Sequence, residues 1–452
     1  MDERTLFELP ERGPAETVSI SGGRPRLRTA QRDQVIMRML SVDQMLPCDD
    51  DARVVWEFVC QCDLSRLLGQ ILAVEGCAGR PTADPRILLA LWLLATLKGV
   101  GAARELDRLC ERHLSFQWLC GEVSMNYHTL SDFRVQHFDL LNELLTEQVA
   151  VLMHTRAVTL ESVAQDGIRV RADAGKASFR RQATLEECLT EAKQRVERLQ
   201  QEVENDPTKA SRRERAARER AARERLEKVA AAIKACDEVQ AAKQKRSGDS
   251  LKNPARASTT DPEARTMKMA NGGYNPAYNV QLATDTKTQV IVGVEVTNQG
   301  TDAGQMGPMV EQIEERTGVR PKDMLVDGGF ASKDDIQRVN DPQQEFKVYA
   351  PVKEADQQRR KGQDPYAPRA GESAELTEWR TRMGTDEAKV IYKLRASTAE
   401  CVNALARQRG LQQFRVRGLR KVRAVALLFA IAHNVRRWWT LRVTGSLQVA
   451  GQ

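Results

Sequence analysis

Three carboxylates stand out by position. Asp166 falls inside a segment with strand character, Val163-Ala-Gln-Asp-Gly-Ile-Arg-Val170, and a charge there is costly to bury without a partner or a task. Asp327 closes a second such segment, Asp323-Met-Leu-Val-Asp-Gly-Gly329, and open α/β sheets bind ligands at strand ends. Glu400, on a helical stretch, is the last acid of the chain. Singly, each has an ordinary alternative, since Asp-Gly is a turn dipeptide and a helical Glu usually faces water. Together they suit a hard cation. Carboxylate oxygens are natural ligands for Mg²⁺, which also binds substrate phosphates. Two such ions about 3.5–4 Å apart serve phosphodiester cleavage, one at the attacking and one at the leaving oxygen. Bare acids repel DNA, so basic surface nearby must bring the backbone in.

Basic surface is available. The net charge of +7 hides an asymmetry: after Glu400 there is no Asp or Glu, but ten Lys and Arg. The last 52 residues carry +10 and the rest sums to −3. Such a tail suits a polyanion, with nucleic acid the commonest. Its apolar helix, 422–435, marks it as folded; the alternative is a solvated helix face.

The elements that must position these residues follow from pattern. Residues 1–31 are rich in Pro, Arg and Gly and form a leader without periodicity. From 32 to 155 the pattern is helical, with Asp84-Pro85 opening an apolar run. Two short helices, a turn and a helix from Thr129 that presents Arg134 outward fit helix-turn-helix DNA binding, as they fit any small bundle. The strand around Asp166 opens a core over 156–180. A charged helical hairpin follows over 181–247, broken at Asn205-Asp-Pro207. Its RERAARERAARERLE run repeats every five residues, which holds no single face on a 3.6-residue helix and leaves it solvated. A polar linker spans 247–275. Strands over 277–284 and 289–297 form a hairpin, followed by a helix over 304–317, the Asp327 strand, a helix over 333–340 and a strand over 346–352. An insertion, 353–388, precedes the Glu400 helix and the basic C-terminal helices, 389–443. This order fits a mixed sheet with helices outside.

Here the chain resembles the bacterial insertion-sequence DDE transposases. The carriers are Asp166-Gly167, the block Thr260-Asp-Pro-Glu-Ala-Arg265 through Asn275-Pro-Ala-Tyr-Asn-Val-Gln281, Asp327-Gly-Gly-Phe330, and Tyr392-Lys-Leu-Arg395 with Glu400 and Arg407. The resemblance implies an α/β fold, a ribonuclease H-like mixed sheet with a helical hairpin insertion, preceded by an all-α N-terminal region. It implies Asp166, Asp327 and Glu400 as ligands of two Mg²⁺ ions, with Mn²⁺ able to substitute. Such enzymes nick a transposon end and join the freed 3′-hydroxyl to target DNA. Tyr392, Arg395 and Arg407 match positions that hold phosphates or a displaced base, and Trp379 is placed to stack on such a base or to pack on its own insertion. Arg417, Arg420 and Lys421 are further DNA candidates. The expected partners are double-stranded terminal inverted repeats and target DNA, bound by a homodimer.

One departure stands out. The family's last motif resembles Tyr-x2-Arg-x3-Glu-x6-Lys, whereas four residues separate Arg395 from Glu400 here, and Arg407 replaces the Lys. One residue turns an α-helix by about 100°, so Arg395 and Glu400 are expected on different faces. Glu387 is the fallback acid.

Other classes fit less well. No apolar run reaches the ~20 residues of a membrane span, and MDERTLFELPERG has no apolar signal stretch; a bacterial cytoplasmic, nucleoid-associated protein is expected. The nine cysteines lack zinc-ligand spacing, although Cys60 and Cys62 form CxC and Cys110 with His113 forms CxxH; buried reduced thiols are expected. At 452 residues more than one core is expected. Competing functions are another enzyme of the same fold, a catalytically inactive or domesticated DNA-binding protein of transposase origin, and a coiled-coil scaffold built on the hairpin.

Overall fold

The computed structural model describes residues 39, 41–76, 81–205, 212–246, 254–339 and 346–445. The expected leader and the Asn205–Pro207 break lie almost wholly outside them.

The N-terminal part is helical: α1 (Val42–Met45), α2 (Asp51–Gln61), α3 (Ser65–Leu68), α4 (Pro85–Leu97), α5 (Ala103–Arg112), α6 (Leu114–Cys120), α7 (Tyr127–Gln136) and α8 (Phe138–His154). Local chemistry sets the starts. Asp50 caps α2 by accepting from Ala52 N at 2.8 Å, Asp84 caps α4 with Pro85 behind it, and Asn126 takes the His128 and Thr129 N–H groups at 3.0 Å to start α7. The apolar run of α4 is buried from Pro85 to Ala95 apart from Arg86, so this helix is a core element.

The catalytic-type region follows as β1 (Ser162–Arg171), β2 (Phe179–Arg180), α9 (Gln182–Asn205), α10 (Arg212–Arg246), β3 (Ala257–Ser258), β4 (Arg265–Lys268), β5 (Tyr274–Asp285), β6 (Ile291–Thr297), α11 (Met306–Thr317), β7 (Asp323–Leu325), α12 (Lys333–Val339), β8 (Lys347–Tyr349), α13 (Ala355–Arg360), α14 (Ala374–Met383), α15 (Asp386–Arg395), α16 (Cys401–Gln408) and α17 (Leu419–Val443). The sheet runs β4-β5-β1-β7-β8, with β6 also on β5. β1 is antiparallel to β5 and parallel to β7, and β7 is parallel to β8. The expected hairpin is β5–β6, and the α9–α10 pair stands between β1 and β5 in sequence. The linker expected over 247–275 is not all loop: β3, β4 and the start of β5 lie in it.

α17 joins the two regions. Its buried face, from Val422 to Asn434, packs on α4, α7 and α8 on the helical side and on β6 of the sheet. One principal core therefore runs through both regions, with a small second one around Leu185, Ala232, Cys236 and Ala257 at the base of the α9–α10 pair. Asp261 ties the quoted sequence block into this frame: buried, it accepts from Tyr278 Oη at 2.8 Å and from Gly418 N at 3.3 Å, so β5 and the start of α17 share one carboxylate.

Candidate active site

Strand register brings the two aspartates together. β1 and β7 run parallel with Ala164 opposite Leu325. Two residues further along each chain stand Asp166 and Asp327, where β7 has ended and β1 runs on. Beyond Val326, whose N–H donates to Tyr349 O at 3.0 Å, the chain turns, and Asp327 Oδ1 accepts from Gly329 N at 2.7 Å. Asp166 Oδ1 accepts from Gly167 N at 2.8 Å. Burial pushes the Asp166 carboxyl above the usual range, and the charges of Asp327 and Asp302 add to this, while Arg395 and the Gly167 N–H oppose it.

Glu400 arrives by a distortion of its helix. Between α15 and α16, residues Ala396–Glu400 form a π-helical turn, which holds one residue more than an α turn. That extra residue absorbs the extra spacing in the motif. Arg395 and Glu400 meet on one face after all, Nη1 to Oε1 at 3.0 Å, correcting the expectation from α-helical geometry. The same guanidinium reaches Asp166 Oδ2 through Nη2 at 3.0 Å. Tyr392, one turn earlier, has its phenol pushed up by burial and by the charges of Asp327, Asp166 and Glu400, against Arg395.

A fourth acid escaped the sequence reading. Asp302, in the loop before α11, is buried and accepts from Asn279 Nδ2 at 2.7 Å and Gln281 Nε2 at 2.8 Å on β5, and pairs with Arg169 at 2.8 Å. It lies against Gly167: a Cβ there would fall 2.4 Å from Asp302 Oδ1. The Gly of Asp-Gly is therefore required by close packing. The only signal in the sequence was an Asp in a Thr-Asp-Ala-Gly loop, which reads as a turn.

Among the described residues no three His, Cys, Asp or Glu side chains surround one point closely enough to hold a metal ion as they stand. In the acidic site the Arg395 guanidinium stands between Asp166 and Glu400 and bridges both. The oxygen donors fit a hard divalent cation, and the guanidinium stands in for its charge. Cys48 and Cys60 are exposed rather than buried.

A family model described as "Transposase DDE domain" matches residues 233–435. A second, "Transposase domain (DUF772)", matches residues 40–136, the helical region. The chain belongs to the DDE transposases of insertion sequences. The two matches together span about two thirds of it. No curated protein and no solved structure matches. The DDE match contains Asp327 and Glu400, while Asp166 lies before it, on the strand that the register sets beside that of Asp327. Transposases of this family act on DNA and generally use divalent metal ions.

Elsewhere in this transposase the expected DNA contacts divide. Arg134 does not face outward: it is 5% exposed, donates to Gly101 O, and lies 4.5 Å over the Trp92 ring. An internal cation on an aromatic face holds α4 and α7 together. Trp379 is 4% exposed in the principal core, so it packs within its own insertion and offers no stacking face. The tail is also less free than its composition suggests. Arg423 pairs with Glu295, Arg436 with Asp51 and Arg442 with Glu57, fastening α17 to β6 and α2. Arg417 and Arg420 are exposed but pair with Asp173 and Asp139. Lys421 and Arg407 are exposed and have no ion-pair partner among the described residues. Glu387 lies in the first turn of α15, away from the Arg395 bridge. No helix among the described residues is long and apolar enough to cross a membrane.

Proposed function

We propose that this transposase binds the ends of its insertion sequence, nicks them in a metal-dependent reaction, and transfers the freed 3′ end to target DNA. The observation that carries the reading is that Arg395 bridges Asp166 and Glu400, while Asp327 ends the parallel strand beside that of Asp166. The sheet order supports a ribonuclease H-like core: an antiparallel β1–β5–β6 meander followed by parallel β7 and β8 on the other side of β1.

Asp166, Asp327 and Glu400 would hold two Mg²⁺ ions, or Mn²⁺ in their place. When bound, these supply Lewis-acid activation of the attacking oxygen and stabilise the charge on the leaving one. The chain's own groups do the rest. Arg395 exchanges its carboxylate partners for a DNA phosphate, for which its planar fork is well suited. Tyr392, kept protonated by burial first and by the nearby acids second, donates to a phosphate oxygen. Arg407 holds the backbone beside the cut. Asp302 ties β5, through Asn279 and Gln281, to β1, through Arg169. Lys421, Arg417 and Arg420 form a second contact on exposed surface at the start of α17. Joining two ends calls for a homodimer on DNA, which gel filtration with and without end DNA reports.

Strand cleavage on DNA carrying the element's own ends, with Mg²⁺ or Mn²⁺, tests the reading. Asp327→Asn should bind the ends and lose at least a hundredfold in cutting, as expected when a charge-stabilising group is removed. Equal binding by both proteins with no cutting by either would overturn it and leave a DNA-binding relic.

A further inference from the structure

A cavity of about 800 Å³ opens beside the acidic site, its wall starting at Gly167, the residue next to Asp166. Four cations line it: Arg169 and Arg171 from β1, Lys268 from the end of β4, and Arg407 from α16. Asn271 in the β4–β5 turn adds an amide, and no lining residue is acidic or aromatic. Arg171, Lys268 and Arg407 are exposed and have no ion-pair partner among the described residues, whereas five of the ten tail cations are paired. Arg169 is anchored to Asp302 at 2.8 Å.

Gathering four cations around one concavity with a counter-charge on Arg169 alone is unfavourable on its own, and the cost is recovered when an anion enters. The ligand must be polyanionic, since several separate cations face it. It also lies close to whatever sits on Asp166, because Gly167, which lines the cavity, follows Asp166 on β1 and Arg407 of the lining follows Glu400 by about two helical turns. We propose that this cavity is a subsite for single-stranded DNA, holding a few consecutive phosphates of the strand that leaves the cut. The inference rests on the reading that this site cuts DNA. With no aromatic surface for stacking, the grip is on the backbone, so it is indifferent to base and strongly salt-dependent. A duplex, with two strands and a hydration shell, is too bulky for the space.

The test is fluorescence anisotropy of a labelled short oligothymidylate in EDTA, titrated at several salt concentrations, so that no cutting intervenes. Arg171→Ala with Lys268→Ala should weaken binding tenfold or more at low salt. It should also flatten the slope of log affinity against log salt by about 1.4, the share of two phosphate contacts on a single strand. Lys287→Ala with Lys322→Ala, at the opposite end of β1, should change neither. Because the double variant removes a side chain from the central strand, Lys268→Glu alone, at an exposed position, is a second probe expected to weaken binding in the same direction. Wild-type affinity in both sets, or a duplex of equal length competing as well as the single strand, would overturn the proposal. The outcomes separate from those for catalysis. A protein that cuts ends normally while these variants bind normally loses the subsite alone. One that never cuts but shows the salt-slope loss keeps the cavity and loses the enzyme.

Discussion

Arg395 occupies the space between Asp166 and Glu400, and its Nε has no hydrogen-bond partner. A cation entering that space must displace the guanidinium. Removing a charge some 4 Å away is worth a few kcal/mol before screening, so Arg395→Gln should bind Mn²⁺ roughly tenfold more tightly than wild type without DNA. Calorimetric titration reads this directly, and equal affinities would show that the guanidinium does not compete. Trp379→Ala makes the opposite point: it should cost about 3–5 kcal/mol of stability, as for a truncated core aromatic, while the folded fraction retains its affinity for end DNA. Denaturant melts and gel shifts together decide that. The positions of Asp166 and Asp327 could be singled out because a charge in or ending a strand is anomalous against its apolar neighbours, whereas Glu400, on a helix, was marked only by being the last acid and by the motif it resembles. Arg134 was misread because composition does not tell a cation on a buried ring from one in water, and burial decides between the two readings of Trp379 in favour of packing. Asp302 was invisible because its partners, Asn279 and Gln281, are distant in sequence.

At the scale of elements, the π turn at Ala396–Glu400 reconciles an irregular motif with a regular site. Deleting Ser397, exposed in that turn, should restore an ordinary α-helix, keep Arg395 and Glu400 on one face, and leave the melting temperature within a few degrees. Adding one Ala after Arg395 should instead rotate Glu400 by about 100° and abolish cleavage. If the insertion cut as well as the deletion, Glu400 would not be the third acid. The β5–β6 hairpin and the Asp166 and Asp327 strands could be read from alternation and turn residues. β3 and β4, of two and four residues, are too short to show a period, which is why their stretch read as a linker.

For the molecule as a whole, α17 makes the helical region and the sheet interdependent. A chain begun at residue 155 would expose the face of α17 that packs on α4 and α8, so it should show no cooperative thermal transition by circular dichroism. A sharp transition would mean that the sheet region folds unaided. His433, inside α17 and 1% exposed, adds a pH signature. Its Nε2–H donates to Gln289 O at 2.8 Å, leaving the Nδ1 lone pair toward Arg409. Burial pulls this imidazole down to about 4, with Arg409 and Arg437 adding to the effect. The folded state therefore favours the neutral ring. That stability is complete above about pH 6.5 and is lost as pH falls from there toward 4, some 3 kcal/mol in all. His433→Gln should flatten this limb in urea melts at stepped pH; an unchanged limb would assign it to other groups.

The neighbours of β1 in the sheet, β5 and β7, lie on average more than a hundred residues downstream, and the helix that closes the core comes last. During synthesis Asp166 emerges early, but the strand beside it, the helix carrying Glu400 and the buttress of α17 follow only on the order of a hundred to nearly three hundred residues later. Such non-local pairing folds slowly, and until it is complete the acids stay apart. A nascent chain stopped before α17 would therefore be inert toward the DNA around it, and the proposed cutting would begin only once that helix had docked.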